Sequence, residues 1–186
     1  AHDLWLRTEE ELNSLGLPPP FWAFAWAGGQ GLARYVLDHP ECVAGRCVVD
    51  FASGSGLVAI AAALAGARDV QAVDIDPFAL AAIGANAAAN AVCVEAAQVD
   101  IIGQDVEADV LLAGDVFYDR EFAAGLMPWF DKLARAGVTI LVGDPGRAYL
   151  PRDRVEQMGR YRVPVTRALE DAEVKDTTVW RWHSPL

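Results

Sequence analysis

The stretch that decides the fold is VVDFASGSGLVAIAAA, residues 48–63. Residues 48–51 predict a short buried strand, residues 52–56 a loop of small residues, and residues 57–63 an apolar, alanine-rich helix. Gly54 and Gly56 lack a Cβ atom, so the loop can turn tightly and a ligand can lie against its backbone. Strand, glycine turn and helix together predict the first half of a nucleotide-binding βαβ unit.

The glycine loop is compatible with two cofactors. Residues 54–59 fit the pattern G-x-G-x-x-G/A, and Asp74 follows near the spacing of a ribose-binding acid, which is typical of NAD binding. Enzymes that use S-adenosylmethionine place an acidic residue at the end of the first strand, before small residues and glycines. Asp50 followed by residues 52–56 has that form as well. A glycine turn without any ligand is the third alternative.

Composition limits the class of protein. A length of 186 residues predicts one domain, residues 1–186, with a full hydrophobic core. No apolar run is long and uncharged enough to span a bilayer, and no signal peptide is recognisable, so we expect no membrane partner. The formal net charge of -11 argues against nucleic acid as the main partner, because binding its backbone needs a positive face. An acidic surface favours a basic partner and also favours solubility.

The cysteines and histidines predict neither disulfides nor a metal site. Cys42, Cys47 and Cys93 are unevenly spaced and form no metal-ligand pattern with the three histidines. Free thiols favour a cytoplasmic protein of bacterial type. Since the chain begins with Ala1, a trimmed targeting segment would instead allow the mitochondrial matrix. We expect a monomer.

Residues 1–45 are expected to form N-terminal helices and an aromatic segment. Thr8 and Glu11 form a capping box at the start of a short helix. Residues 21–26, FWAFAW, then place four aromatic residues before Gly28, Gly29 and Gln30. Two interpretations remain open for this segment: plain core packing, or a wall over a cofactor whose approach the two glycines allow.

Residues 46–186 alternate between apolar strands and helices, which predicts five strand–helix units and a terminal β-hairpin. A short helix is predicted around residues 152–158, and the hairpin from the alternation at residues 161–165 and 177–182. The predicted fold is a single doubly wound, Rossmann-like α/β domain. Its mostly parallel seven-stranded sheet is closed by the C-terminal antiparallel hairpin.

Acidic residues follow the predicted strands. Asp50, Asp74, Asp100, Asp115 and Asp144 all fall at the carboxyl ends of strands, the edge at which α/β sheets bind ligands. A dinucleotide would bring its pyrophosphate to this acidic edge, which disfavours NAD. S-adenosylmethionine has no phosphate, but it has hydroxyls, an amine and a sulfonium, so these acids favour it.

Several stretches together resemble one protein family. They are PPPFWAFAW with GGQ at residues 18–30, the loop at 50–56, VDIDP at 73–77, GDVFY at 114–118 and GDPGR at 143–147. Through them the chain resembles the seven-strand, class I methyltransferases. More narrowly, it is similar to the lysine methyltransferases of the electron transfer flavoprotein beta subunit, and the resemblance covers nearly the whole chain. Two residues depart from the expected pattern: Ala52 replaces the first loop glycine, and Ala27 replaces a proline.

This resemblance implies a protein-lysine N-methyltransferase that uses S-adenosyl-L-methionine and acts on the electron transfer flavoprotein beta subunit. Asp115 and Tyr118 form the D-x-x-Y motif typical of lysine-modifying members, and would face the target amine. Other readings remain: a different acceptor such as a ribosomal protein or a small amine, a dehydrogenase, or a binding module without catalysis. Asp115 could also merely cap the following helix.

The resemblance also implies a set of cofactor-binding residues. They are Trp26, Gln30, Asp50, Ala52, Gly54, Gly56, Asp74 and Asp100. Asp50 and the loop backbone would hold the methionine part, and Asp74 would accept hydrogen bonds from the ribose hydroxyls. Asp100 would lie at the adenine amino group, while Trp26 and Gln30 would border the cofactor.

Overall fold

The computed structural model describes residues 19–167 and 172–184, so the capping box predicted at Thr8 lies outside the described residues. The strands in these ranges are β1 (Cys47–Phe51), β2 (Asp69–Asp74), β3 (Glu95–Gln98), β4 (Val110–Gly114), β5 (Thr139–Asp144), β6 (Val155–Pro164) and β7 (Val174–Trp182). The α-helices are α1 (Ala27–Asp38), α2 (Leu57–Leu64), α3 (Pro77–Ala89) and α4 (Arg120–Arg135).

All seven strands form one sheet, in the order β3-β2-β1-β4-β5-β7-β6. β1 to β5 are parallel to one another. β7 pairs antiparallel with both β5 and β6. The predicted mostly parallel sheet with a terminal hairpin is therefore confirmed. The strand order reverses between β1 and β4, so their carboxyl ends frame the crevice where such sheets bind ligands.

Two hydrophobic cores cover the two faces of the sheet. One contains buried residues of α1, α2 and α3, such as Leu32, Val58 and Ile83. The other contains buried residues of α4, such as Leu126 and Trp129. None of the helices in the described ranges has the length and apolarity needed to cross a bilayer.

Acidic side chains fix the starts of two helices. Asp76 accepts a hydrogen bond from the Phe78 backbone N–H at 2.8 Å and precedes Pro77, the first residue of α3. Asp119 accepts from the Phe122 N–H at 2.8 Å and is the N-cap of α4. The alternative in which Asp115 caps the helix that follows it is therefore wrong.

One predicted helix is absent from the described chain, and one of the five predicted strand–helix units lacks its helix. Only a 3-10 turn, Arg152–Arg154, precedes β6, so the helix predicted at residues 152–158 is wrong. Its helix-favouring side chains are overridden because β6 pairs with β7 from Val155 onward. The connection between β3 and β4, residues 99–109, also lacks an α-helix. Its Gln104 carbonyl accepts instead from the indole of Trp129 at 2.9 Å, which holds this connection against α4.

Candidate functional site

The glycine loop after β1 is held from beneath by Asp50. This carboxylate is 1% exposed, and its Oδ2 accepts hydrogen bonds from Ser53 Oγ at 2.5 Å and from the Ala59 N–H at 2.9 Å. Burial is the main cause that raises the pKa of Asp50 to about 7. The carboxylate thus joins the loop to the first turn of α2. These contacts assign Asp50 to the support of the loop, and its predicted contact with the methionine part of a cofactor stays a prediction.

The loop backbone adopts the left-handed region at Ala52, Gly54 and Gly56, with φ of 52°, 56° and 82°. This conformation costs an L-residue with a side chain about 1–2 kcal/mol, which explains why glycine is expected where Ala52 stands. At Gly56 a Cβ would lie 3.2 Å from the side chain of Ile83 in α3, so glycine also permits close helix packing there.

The end of β2 brings Asp74 against this loop. Asp74 Oδ2 accepts from the Gly54 N–H at 2.8 Å, and Oδ1 accepts from the Asp76 N–H at 2.9 Å. Because a carboxylate has about four lone-pair sites, both oxygens can still accept from a ligand. Asp100 follows closely, since the Val99 N–H donates to the Asp74 carbonyl at 3.0 Å. The structure thus gathers the predicted cofactor acids at one edge of the sheet.

The aromatic segment, residues 21–26, lies across this edge. None of its four aromatic residues is buried, which argues against the core interpretation. The Trp22 Cα lies 3.6 Å from the position of a Cβ on Gly54, and the Trp22 ring stacks on Phe78 at 6.0 Å between centroids. The Phe21 ring lies 6.1 Å from that of Tyr118. The segment therefore extends over the glycine loop, from the start of α3 to the residues after β4.

Trp26 and Gln30 hold the aromatic segment in this position. The Trp26 indole donates to the Phe21 carbonyl at 2.8 Å. The Gln30 amide donates to the carbonyls of Ala25 at 2.7 Å and Pro164 at 3.0 Å, which ties the segment to the end of β6. Contact of either residue with a cofactor stays a prediction.

The first turn of α1 packs directly on the ends of β4 and β5. A Cβ on Gly28 would lie under 3.0 Å from backbone atoms of Gly143 and Asp115, and one on Gly143 would meet the Gly28 backbone equally closely. A Cβ on Gly114 would lie 2.8 Å from the Gly29 Cα. The close approach that Gly28 permits is therefore to the sheet, whereas the sequence suggested an approach to a ligand.

Asp115 is the junction of three elements. Its own backbone is left-handed, with φ of 63°, and its N–H donates to the Gly143 carbonyl at 2.8 Å. Oδ2 accepts from the Gly28 N–H at 2.9 Å, one of the donors that α1 leaves unpaired at its N-terminus. Oδ1 accepts from Arg147 Nε at 2.5 Å. Asp115 therefore caps α1, through Gly28, 87 residues earlier in the chain, and not the helix that follows it.

Sequence reasoning missed the contact of Arg147 with Asp115. The stretch GDPGR at residues 143–147 entered only as part of a family resemblance. The available signal was a basic residue directly after the fifth strand, on a sheet edge otherwise lined by acids. Asp144 shapes this turn, because its Oδ1 accepts from the N–H groups of Gly146 at 2.7 Å and Arg147 at 2.9 Å. Burial is the main cause that raises the pKa of Asp144.

Tyr118 follows Asp115 by three residues and is 52% exposed, so it marks the solvent-exposed side of the site, which we call its mouth. Partial burial is the main cause that raises the pKa of its phenol, and the charges of Asp119, Asp74 and Asp115 add to it. The phenol therefore stays protonated at neutral pH. Its ring lies 5.8 Å from that of Phe122, which fixes it at the start of α4.

Comparison with known proteins identifies the family. The electron transfer flavoprotein beta subunit lysine methyltransferase of Xenopus laevis is 37% identical over 185 residues, an alignment that covers 96% of this chain and 74% of that protein. This chain belongs to that family. The corresponding protein of Danio rerio is 39% identical over 173 residues, covering 89% of this chain and 67% of the relative.

Two broader comparisons concern part of the sequence and the fold. The family model of the ribosomal protein L11 methyltransferases matches residues 35–116, a range that contains the glycine loop and Asp115. Magnesium protoporphyrin IX methyltransferase of Synechocystis PCC 6803, solved with bound S-adenosylhomocysteine, shares the fold with a TM-score of 0.60 at 15% identity. That alignment covers 84% of each chain.

The predictions of family, fold and enzyme class are confirmed: the chain is a lysine methyltransferase family member with a Rossmann-like domain. Between the two cofactors left open by the glycine loop, the comparisons support S-adenosylmethionine. The individual roles of the site residues, the monomeric state and the compartment stay predictions.

Proposed function

We propose that this chain transfers methyl groups from S-adenosylmethionine to lysine side chains of the electron transfer flavoprotein beta subunit. The relatives that carry this substrate in their names align with nearly the whole chain. The observation that supports the proposal most directly is the position of Asp115 and Tyr118. They follow β4, across the strand-order reversal from the glycine loop that follows β1.

The residues at this edge fit the cofactor. The left-handed loop presents backbone without a Cβ at Gly54, where the Trp22 Cα is already in van der Waals contact with it, so a ligand would lie along the loop beside this contact. Asp74 would accept from the ribose hydroxyls, and Asp100 would lie at the adenine amino group. When bound, S-adenosylmethionine supplies an electrophilic methyl group, so the chain needs no nucleophile of its own.

The acceptor amine requires orientation and the loss of a proton. A lysine is mostly protonated at neutral pH and cannot attack in that form. The Asp115 carboxylate, held by Gly28 and Arg147, has lone pairs left with which to accept from the amine. Tyr118, as a protonated phenol at the mouth, would line the path of the lysine side chain. Most of the acceleration then comes from holding nitrogen and methyl group in line.

A ribosomal protein is the second acceptor to test, because the L11 methyltransferase model matches the part of the chain that contains the glycine loop. In either case the acidic chain and a cationic acceptor should associate more weakly as salt rises.

The test is methylation of purified proteins. The chain is incubated with labelled S-adenosylmethionine and either the electron transfer flavoprotein beta subunit or ribosomal protein L11, and the modified lysines are located by mass spectrometry. We expect added methyl groups on lysines of the flavoprotein subunit. Methylation of L11 alone would replace the proposed acceptor, and labelling of neither protein would refute both.

Asp115→Asn and Asp119→Ala form a matched pair for the same assay. Asn tolerates the left-handed backbone and can accept from Gly28, so the variant should fold. It should cut methyl transfer about 100-fold or more, as expected for losing a positioned charge. Asp119→Ala removes the cap of α4, which costs about 1 kcal/mol of stability, and one of the charges that act on Tyr118, so it should lower turnover much less than Asp115→Asn does. Equal turnover of the two variants would remove Asp115 from the active site.

A further inference from the structure

The ion pair between Asp115 and Arg147 is placed where little solvent reaches it. The Nε–Oδ1 distance is 2.5 Å, and the side chains of Arg147 and Asp115 are 23% and 6% exposed. Such a pair is screened much less than one on the surface. Because a guanidinium stays protonated at every pH at which the protein is folded, its positive charge beside Asp115 is permanent.

The charges that raise the pKa of the neighbouring Tyr118 are acidic. Asp119 and Asp74 both raise the pKa of Tyr118, together with Asp115, and so lie near the mouth from the start of α4 and the end of β2. On the side of β5, Asp144 experiences the charge of Asp115 and, with the opposite sign, that of Arg152. Arg147 is the cation that contacts Asp115 itself.

We propose that Arg147 is a positioning residue that holds Asp115 and offsets its charge, so that an acceptor amine beside Asp115 can lose its proton near neutral pH. This inference rests on the proposed function, because it concerns the lysine that is to be methylated. It adds a role for a residue that makes no bond to the reacting atoms.

The physical reason is that Asp115 and Arg147 shift the pKa of the amine in opposite directions. A carboxylate within about 4–6 Å stabilises the ammonium form and raises the pKa of a lysine by about 1–3. With several acids nearby, an unopposed Asp115 would bind the ammonium well but keep it unreactive. The Arg147 charge disfavours that form. The amine then releases its proton to solvent, its lone pair forms the N–C bond, and the electron pair of the breaking C–S bond stays on sulfur.

The test compares three variants of the full chain. Arg147→Gln removes the charge, Arg147→Lys keeps it, and Arg154→Gln is the matched control. Arg154 forms a similar half-buried pair with Asp131, with an N–O distance of 2.7 Å and side chains 30% and 13% exposed. That pair lies away from the site. Arg154 directly precedes the residue of β6 that pairs with Trp182 of β7, whereas Asp144, at the site, pairs with Thr178 farther along β7.

The measurement is kcat for lysine methylation from about pH 6 to about pH 10, at saturating cofactor and acceptor. We expect the rising limb of Arg147→Gln to lie about one pH unit or more above that of the wild type, with at least a tenfold lower kcat near neutral pH that recovers at high pH. Arg147→Lys should stay near the wild-type profile. Arg154→Gln should keep the pH dependence of kcat seen in the wild type, even where it lowers the stability of the fold.

Three results would overturn the inference. One is an Arg147→Gln profile that is lowered equally at every pH, which indicates a structural role alone. Should that variant not fold, the residual activity of Asp115→Asn decides the matter. In Asp115→Asn the positive charge of Arg147 is uncompensated, so kcat should begin to rise at a lower pH than in the wild type. A rise at the same pH as in the wild type contradicts the inference. A wild-type chain that methylates no lysine refutes the proposed function and the inference with it.

Discussion

Replacement of Asp50 by Asn should change how the stability of the fold depends on pH. Asp50 is fully buried, and burial, with the charge of Asp74 in addition, raises its pKa from 3.8 to about 7. Its bonds from Ser53 and Ala59 offset only part of this rise. Between about pH 4 and pH 7 the folded chain therefore keeps a proton that the unfolded chain releases, so the contribution of Asp50 to stability falls as the pH rises through that window.

The magnitude follows from the two pKa values. A pKa difference of one corresponds to about 1.4 kcal/mol, so ionisation of Asp50 costs the fold at most about 4 kcal/mol above pH 7. Asn has nearly the same shape. Ser53 Oγ and the Ala59 N–H both donate to Oδ2 of Asp50, and the carbonyl oxygen of Asn in that position can accept from both, so both hydrogen bonds can persist without the buried charge.

The assay is urea unfolding of both proteins at a series of pH values. Near pH 4 we expect equal free energies of unfolding. The Asp50→Asn protein should become the more stable one as the pH rises, by up to about 4 kcal/mol, and the difference should level off above about pH 7. A difference that is constant with pH, or that is largest in acid, would contradict the assignment of a buried, protonated Asp50.

Cofactor affinity separates the two roles considered for Asp50. If it supports the loop from beneath, Asp50→Asn should bind S-adenosylhomocysteine within a few-fold of the wild type. Asp74→Ala should lose about 1.5–3 kcal/mol of binding through its lost charge-assisted hydrogen bonds. An equal loss in calorimetry for both variants would show that Asp50 contacts the ligand itself.

Two further predictions concern the aromatic segment and the helix that follows it. Gly28→Ala should destabilise the fold by about 1–3 kcal/mol or more, because its Cβ would meet the backbone of Gly143 and Asp115. Gly29→Ala is the control, since its Cβ would have only a Val58 methyl group at 3.8 Å. Equal unfolding midpoints of the two variants would contradict this packing. S-adenosylhomocysteine should slow hydrogen exchange in residues 21–30, since this segment lies over the glycine loop, and unchanged exchange would mean that it does not cover the ligand.

The sequence allowed prediction of whatever depends on local pattern. The strand, loop and helix at residues 48–63 were predictable because an apolar run, glycines and a second apolar run each favour one conformation. The acids at the strand ends were predictable because parallel strands deliver their carboxyl ends to one edge. Asp76 before Pro77 is a helix start by local chemistry alone.

What could not be predicted depends on contacts distant in sequence. Residues 155–158 become strand only because β7 offers a partner across the hairpin. The close packing of Gly28 on Gly143 involves residues more than a hundred positions apart, and no periodicity announces it. The pair of Asp115 and Arg147 is of the same kind, since both members follow strands whose adjacency is a property of the sheet order.

These distant contacts change how Asp115 must be studied. The sequence offered two exclusive roles for it, helix cap or substrate ligand, to be distinguished by whether its loss affects stability or turnover. In the structure its carboxylate caps α1 through Gly28 and also bonds Arg147. Its removal should therefore affect stability even if it binds the substrate, so a stability loss is no evidence against catalysis. The discriminating quantity is turnover in Asp115→Asn, which can keep the bond from Gly28 that caps α1 but loses the charge and the acceptor for Arg147.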